Sequence, residues 1–566
     1  MLACELLGVG ATRIEERSQA VNHQLESTPV DFEACQSVQE AGVLFLLPFL
    51  EQVGLFSFRD HYEEVDDGYY YIDCIILFLA FMYLRRIKNP EQLKYYSPGE
   101  FGKIMGLDRV PEAKSLRKKL KEICAQKRSH KWNMALANHW STKEDNEFYY
   151  IDGHVQVYTG YNAKLGKKHI SRLKLCLPGM QEFWVNNKSG MPYFYVTGQV
   201  NEKLIEMLKK EIIPKLLQEM PSKYTQQELK ADPDLPRFTI VFDREAYSPV
   251  FFQQLWEEHR IAVITYRKNV KDNWDEKEFS EYTVDIEDNQ TKMNLCEKPV
   301  ELNNVPMREI RRLSKGHQTS VITTNKKLSI EMVAIYMFSR WTQENFFKYL
   351  RQDYDFDRLL QYAVEQVDKD FLVNNPEYNN KTYKLRKLRE KINRRKAKLY
   401  EFQEKNIKED LSTANKYLQK QLETIEELKT LEQLERELLK ERAKVPSQLK
   451  VNDMPDNIKY SKLDMESKRF QNIIKMICYR AETSCANLIA NNFNKSINEK
   501  RAVVKSIIKS HADIIPDYFN NTLTIQIYTQ ANPRMNRSLQ KVITILNETK
   551  TKYPGTDLVL FYKIAT

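Results

Sequence analysis

The sequence predicts a multidomain α/β protein. Its expected parts are a helical N-terminal region, a mixed sheet with helices on its faces, a long helical coiled coil or hairpin, and a small α+β unit. Three observations carry that expectation. Near residue 146 the helical spacing of threes and fours gives way to strand-like runs of aromatic and β-branched residues. From there to about residue 349, strand-like and helix-like segments follow one another, as they do when helices cover the faces of a sheet. Residues 380–443 are then rich in Lys, Glu, Gln and Leu, with neither Pro nor Gly.

Composition sets outer bounds. A chain of 566 residues has room for three or four domains. Lys+Arg exceed Asp+Glu by 87 to 77, and the resulting charge of +10 favours nucleic acid only weakly over an ordinary basic protein. The 8 cysteines are scattered without a CxxC pair, which fits reduced thiols in a cytoplasmic protein rather than a disulfide framework or zinc site. The longest apolar run, residues 74–84, is too short to span a bilayer and reads as a buried helix. MLACELLGVGATRIEERSQ lacks the basic start and apolar core of a signal peptide, and no membrane partner is expected.

Residues 1–37 show no sustained period and are expected to be loosely ordered. Residues 38–140 read as helices, among them CIILFLAFMYLRRI. Within SPGEFGKIMGLDRVPEAKSLRKKLKEI, a short helix and a Gly-containing turn precede a helix with Leu116, Leu120 and Ile123 on one face. Lys114, Arg117, Lys118 and Lys121 form the other face, a pattern that fits a DNA-binding helix-turn-helix. A small helical bundle with a basic polar face fits it too. Residues 146–360 make the mixed-sheet domain: EFYYIDG, HISRLKLCLP, the hairpin EFWVNN-KSG-MPYFYV, RFTIVFD and IAVITYR as strands. NEKLIEMLKKEIIPKLL and SPVFFQQLWEEH lie between them as helices. A β-rich insertion is expected over 268–318, and one long helix over about 329–349. Beyond it come the long helices of 376–443, whose seam is read as Leu418, Leu422, Ile425, Leu428, Leu431, Leu434 and Leu438. A linker over 446–460 leads to the α+β unit, 458–566.

Within FYYIDGHVQVYTGY, Asp152 interrupts a run of strand formers, and aspartate disfavours both strands and burial. Asp243 ends the apolar strand RFTIVFD. Glu344 continues the stripe of Ile330, Val333, Met337 and Trp341, flanked by Arg340 and Lys348, with Arg351 seven residues on. A carboxylate on a buried stripe must be paired or hold a metal. Three gathered acids suit phosphodiester cleavage, in which two divalent cations about 3.5–4 Å apart clamp the attacking and leaving oxygens. Each acid alone also has a structural reading, as a strand-end cap or an i,i+4 ion pair. The echo GYYYIDCIIL around Asp73 lies in a helical region without partner acids and reads as structural. His154 and His169 have no second histidine at ligand spacing and read as hydrogen-bonding residues.

IDGH with Asp152, IVFD with Asp243 and YMFSRWTQENFFKYLR with Glu344 resemble the transposases of the DDE class. Those enzymes have an RNase H-like fold and place their acids on the first strand, after the fourth strand and on a late helix. The last segment is similar to the tyrosine–arginine–glutamate–lysine signature of the insertion-sequence-four type. Arg340 stands four before the Glu, as in that signature. Tyr336 lies four rather than three before Arg340, and Arg351 replaces the lysine, which points to a cousin group. The resemblance implies a bacterial, nucleoid-associated enzyme that binds its element's terminal inverted repeats, cuts them and joins the 3′-hydroxyl ends to target DNA. It implies Mg²⁺ or Mn²⁺, two ions, on Asp152, Asp243 and Glu344, with Arg340, Lys348 and Arg351 on phosphates. A homodimer on double-stranded DNA is expected, since both ends must be held at once. The alternatives are a catalytically silent DNA-binding descendant and a stand-alone RNase H-like nuclease.

Overall fold

In the computed structural model the described residues are 11–65, 68–144, 147–160, 165–170, 173–199, 202–286, 289–338, 340–357, 364–366, 372–404, 411–450, 453, 461–490, 497–530 and 533–565. The chain forms two compact units, one of residues 1–159, 179–361 and 464–566, the other of 160–178 and 362–463.

The first unit begins with an ordered segment where little order was expected. Helix α1 (Ile14–Val21) and strand β1 (Cys35–Val38) both lie within the first 40 residues. One buried ion pair anchors α1: Arg17 reaches Asp108 at 2.6 Å, and the Thr12 and Arg13 N–H groups donate to the same carboxylate. Such an anchor leaves no apolar period in the sequence. Helix α2 (Ile72–Leu84) buries every residue except Asp73, which pairs with Arg59 at 2.7 Å, a structural role as read from the sequence. Ser97 caps α3 (Pro98–Met105), Gly106 ends it in the left-handed region, and α4 (Ala113–Ala125) follows. Leu116, Leu120 and Ile123 are buried while Lys114, Arg117, Lys118 and Lys121 are exposed, so the amphipathic reading of α4 holds.

The central sheet contains β2 (Phe148–Val157), β3 (Leu175–Asn186), β4 (Pro192–Gln199), β5 (Phe238–Phe242), β6 (Ile261–Tyr266), β7 (Ser280–Ile286), β8 (Asn289–Leu302), β9 (Val305–Ser314) and β10 (His317–Thr323). Their order is β4–β3–β2–β5–β6–β10–β9–β8–β7, with β2, β5 and β6 parallel and the other neighbours antiparallel. Alternation sends Tyr149, Ile151, Ile240, Phe242 and Val263 into one core, where α5 (Pro249–His259) covers them with Phe251, Phe252 and Leu255. Phe148, Tyr150, Val241 and Ile264 enter a second core with Val333, Ala334 and Met337 of α6 (Ile330–Phe338). The expected insertion extends this same sheet: Val284, Met293, Leu295 and Ile310 join the second core.

Two expectations change here. HISRLKLCLP is not one strand, because Lys167–Ile170 pairs back on residues 175–178 as a hairpin of the second unit. The single helix expected over 329–349 is two, α6 and α7 (Trp341–Tyr354); Ser339 and the Trp341 side chain lie outside the described residues.

The C-terminal residues do not stand apart from the first unit as a domain over 458–566. Helix α10 (Glu466–Ala490) is buried in the first unit's main core, and β1 pairs with β11 (Ala512–Asp517) to start a four-stranded sheet. β12 (Thr522–Ile527) and β13 (Val559–Ile564) complete it, with α11 (Ile497–Lys509) and α12 (Pro533–Glu548) alongside. A pairing between residues almost 480 apart leaves no local signal.

In the second unit α8 (Pro376–Glu404) and α9 (Leu411–Ala443) run antiparallel, bridged by Lys381–Glu441, Arg389–Glu435 and Arg395–Glu427. The seam differs from the expected one. Leu385, Ile392, Thr424 and Leu428 are buried, whereas Leu418, Leu422 and Leu434 are exposed. Leucines at threes and fours offer more than one stripe, and the partner helix selects among them. The expected linker includes strand Gln448–Lys450, which pairs with Leu372–Asn374; most of its remainder lies outside the described residues.

Candidate active site

Register brings the first two acids together. The last parallel pair of β2 and β5 is Ile151 with Phe242, so Asp152, midway along β2, and Asp243, just beyond the carboxyl end of β5, follow side by side where the pairing of the two strands ends. They share a face with Tyr150 and Val241, the face that α6 covers. In open α/β sheets this end of the strands is where ligands bind. Asp243 also caps the short turn Arg244–Ala246, accepting from the Arg244 N–H at 2.7 Å.

The start of α7 is fixed above this end by the β3–β4 hairpin. Buried Gln343 donates to Asn186 Oδ1 at 3.0 Å, and Thr342 sits against the hairpin loop. At Gly190, φ is +77° and a Cβ would stand 2.8 Å from the Thr342 carbonyl oxygen, so glycine permits this approach. Arg340 occupies the N-cap position of α7 without a side-chain cap bond, and its side chain is only 11% exposed. Its Nη1 lies 3.5 Å from Asp152, and its Nη2 lies 3.7 Å from Asp243 and 3.6 Å from Glu344. Three carboxylates, one within a strand, one at a strand end and one on a helix, thus surround one guanidinium.

Their environments differ. The side chains of Asp152, Asp243 and Glu344 are 26%, 48% and 64% exposed. The expectation that Glu344 continues a buried stripe is therefore corrected: the helix breaks before Trp341, and α7 buries Phe346, Phe347, Leu350 and Tyr354 instead. The desolvation argument belongs to Asp152. Burial pushes its carboxyl up to about 6; Arg340 and the Gly153 N–H oppose the rise, and Asp243 and Glu245 add to it.

Tyr266 and Arg244 belong to this site and were not foreseen. Burial raises the Tyr266 phenol; Arg340 and Arg244 oppose the rise, and Asp243 and Glu344 add to it. Arg244 lies 5.7 Å over its ring. Tyr266 ends β6, the next parallel strand, and the same rule about strand ends would have found it.

Lys348 is exposed and Arg351 half-buried on the face of α7 that carries Glu344, and neither makes an ion pair among the described residues. Arg117 and Lys118 of α4 pair with Glu91 and Glu122. His154 accepts its structural reading: Nε2 meets Asp357 Oδ1 at 2.5 Å and the ring stacks on Phe347. Tyr336 stacks on Phe148 with centroids 3.8 Å apart, in the core rather than at the acids.

Among the described residues no three His, Cys, Asp or Glu side chains form a metal cage as they stand. The donor set still fits a hard cation, being carboxylate oxygens gathered about a positive group, here the guanidinium of Arg340. Among the described residues no helix is long and apolar enough to cross a membrane.

A family model described as Transposase protein matches residues 8–566, nearly the whole chain. No curated protein and no solved structure matches.

Proposed function

We infer that this chain, which belongs to that family of transposases, cuts DNA at the ends of its own mobile element and joins the freed 3′-hydroxyl to target DNA. Asp152, Asp243 and Glu344 are its metal-holding acids in this reading. The observation that supports it most is their meeting around Arg340. Asp152 lies on the first strand of the central sheet, Asp243 just after the fourth, and Glu344 on a later helix, the order of the RNase H-like DDE enzymes the sequence resembles.

Mg²⁺ or Mn²⁺, two ions when bound, supplies an activated oxygen nucleophile and charge relief at the phosphate. Asp152, Asp243 and Glu344 would offer the anionic oxygens such ions prefer. Burial holds the Asp152 carboxyl up at about 6, so at neutral pH most of it is ionised. Lys348 and Arg351, on the same helix as Glu344, would orient phosphates beside the acids, Arg351 by a bidentate grip. The exposed face of Lys114, Arg117, Lys118 and Lys121 would recognise the terminal repeats, and a homodimer would hold both ends.

The test is a strand-cleavage assay with Mn²⁺ on DNA carrying the inverted repeats that flank the coding region. Wild type should cut and join, while Asp243→Asn should bind the ends without cutting. Equal cleavage by both would remove the acid assignment. Wild-type binding without cleavage would leave a DNA-binding protein, and cleavage without joining a nuclease.

A further inference from the structure

Arg340 does not hold its carboxylates as Arg308 and Arg17 hold theirs. Arg308 grips Glu297 with two nitrogens at 2.6 and 3.0 Å, and Arg17 reaches Asp108 at 2.6 Å. Arg340 stands 3.5 to 3.7 Å from three separate carboxylates, beyond hydrogen-bond length from each. Its Nη1 is buried and donates to no group among the described residues. Leaving a buried donor unmade opposes the bridge, so the arrangement is a weak fastening for the fold. Charge points the same way. Three carboxylates against one guanidinium leave a net of two negative charges once all are ionised.

We propose that Arg340 is a displaceable counter-ion and a positioning residue. It keeps Asp152, Asp243 and Glu344 gathered in the protein alone, yields its place on loading of a divalent cation, and is then free for a phosphate oxygen of the DNA. The proposal rests on the metal-holding role inferred above. It makes Arg340 a competitor of the metal before DNA arrives, so removing its charge strengthens metal binding while loosening the metal-free fold.

The experiment measures Mn²⁺ binding to the full chain without DNA, by the resonance signal of free Mn²⁺, together with melting in chelator and in Mn²⁺. Wild type is compared with Arg340→Ala, Arg340→Gln and Asp243→Asn; the Gln variant keeps length and hydrogen bonding should the Ala variant fail to fold. Both Arg340 variants should bind Mn²⁺ about tenfold more tightly than wild type. They should also melt lower than wild type in chelator and gain more on adding Mn²⁺. Saturable binding that Asp243→Asn abolishes, but that is equal or weaker in the Arg340 variants, overturns the counter-ion role and leaves the metal role standing. Absence of saturable binding in wild type and Arg340 variants alike overturns both.

Discussion

Helix α7 carries an acid–base cluster at each end, and the two are built differently. Toward its C-terminus Tyr349 and Tyr354 donate to Glu482 of α10 at 2.9 Å each, and Arg86 donates to the same carboxylate at 2.5 Å. Asp353 beside them takes both contacts of the Lys505 ammonium, at 2.8 and 2.9 Å. Toward the N-terminus, three carboxylates share the Arg340 guanidinium at longer range, and two of them are open to solvent. A network that fastens one segment to another saturates its buried anions, because an unpaired buried charge costs several kcal/mol. A cluster that leaves its oxygens part-free keeps them for something else, which is why perturbed, under-satisfied acids gather at functional sites.

The contrast can be tested from its strongest point downward. Asp243→Asn should lower strand cleavage at least about a thousandfold, ~4 kcal/mol in transition-state terms, with unfolding free energy unchanged within ~0.5 kcal/mol. Urea unfolding beside the cleavage assay checks both halves, and a stability loss matching that of a Glu482 variant would erase the distinction. Glu482→Ala should destabilise the first unit by about 3 kcal/mol, since Arg86 and two tyrosines lose a buried acceptor. A shift in urea midpoint worth less than ~1 kcal/mol would show that the second cluster is no fastening either.

Asp152→Asn should act in the opposite direction. A carboxyl raised to about 6 in the folded chain favours folding below the ordinary carboxylate range, and that contribution is lost as pH rises through 6. Without metal at pH 7.5 the neutral Asn should therefore stabilise by ~2 kcal/mol, a gain that vanishes near pH 4. Melting curves across that range decide it, and a gain that persists at pH 4 would contradict the burial argument. The smallest effects belong to Lys348→Ala and Arg351→Ala. Each should weaken DNA binding several-fold at any sequence and reduce the salt slope by about 1, without moving the melting temperature. An unchanged salt slope would take these residues off the DNA path.

Much of this was legible along the chain. Runs of aromatic and β-branched residues mark β2, β5 and β6, and Asp152 within β2 and Asp243 just after β5 are conspicuous because aspartate is a poor strand former. The helices α2, α4 and α10 to α12 announce themselves by composition and apolar spacing. Other features were not legible, for identifiable reasons. The break before α7 falls inside a run whose spacing suits one continuous helix, so Glu344 lies on a different face from the one that spacing suggests. Tyr266 looks like any strand-end aromatic until β6 is placed beside β5. The hairpin seam passes through Thr424 rather than Leu422 because the partner helix, not the leucine count, chooses the stripe.

By itself the sequence determined which residues are acids, which segments alternate and which turn helical, since these depend on side chains a few positions apart. Tertiary structure alone decided that β1 completes a sheet begun almost 480 residues later, that the two aspartates stand abreast, and that Arg340 lies between them and Glu344. Those outcomes depend on strand register and helix placement, set by packing between segments that never meet in sequence.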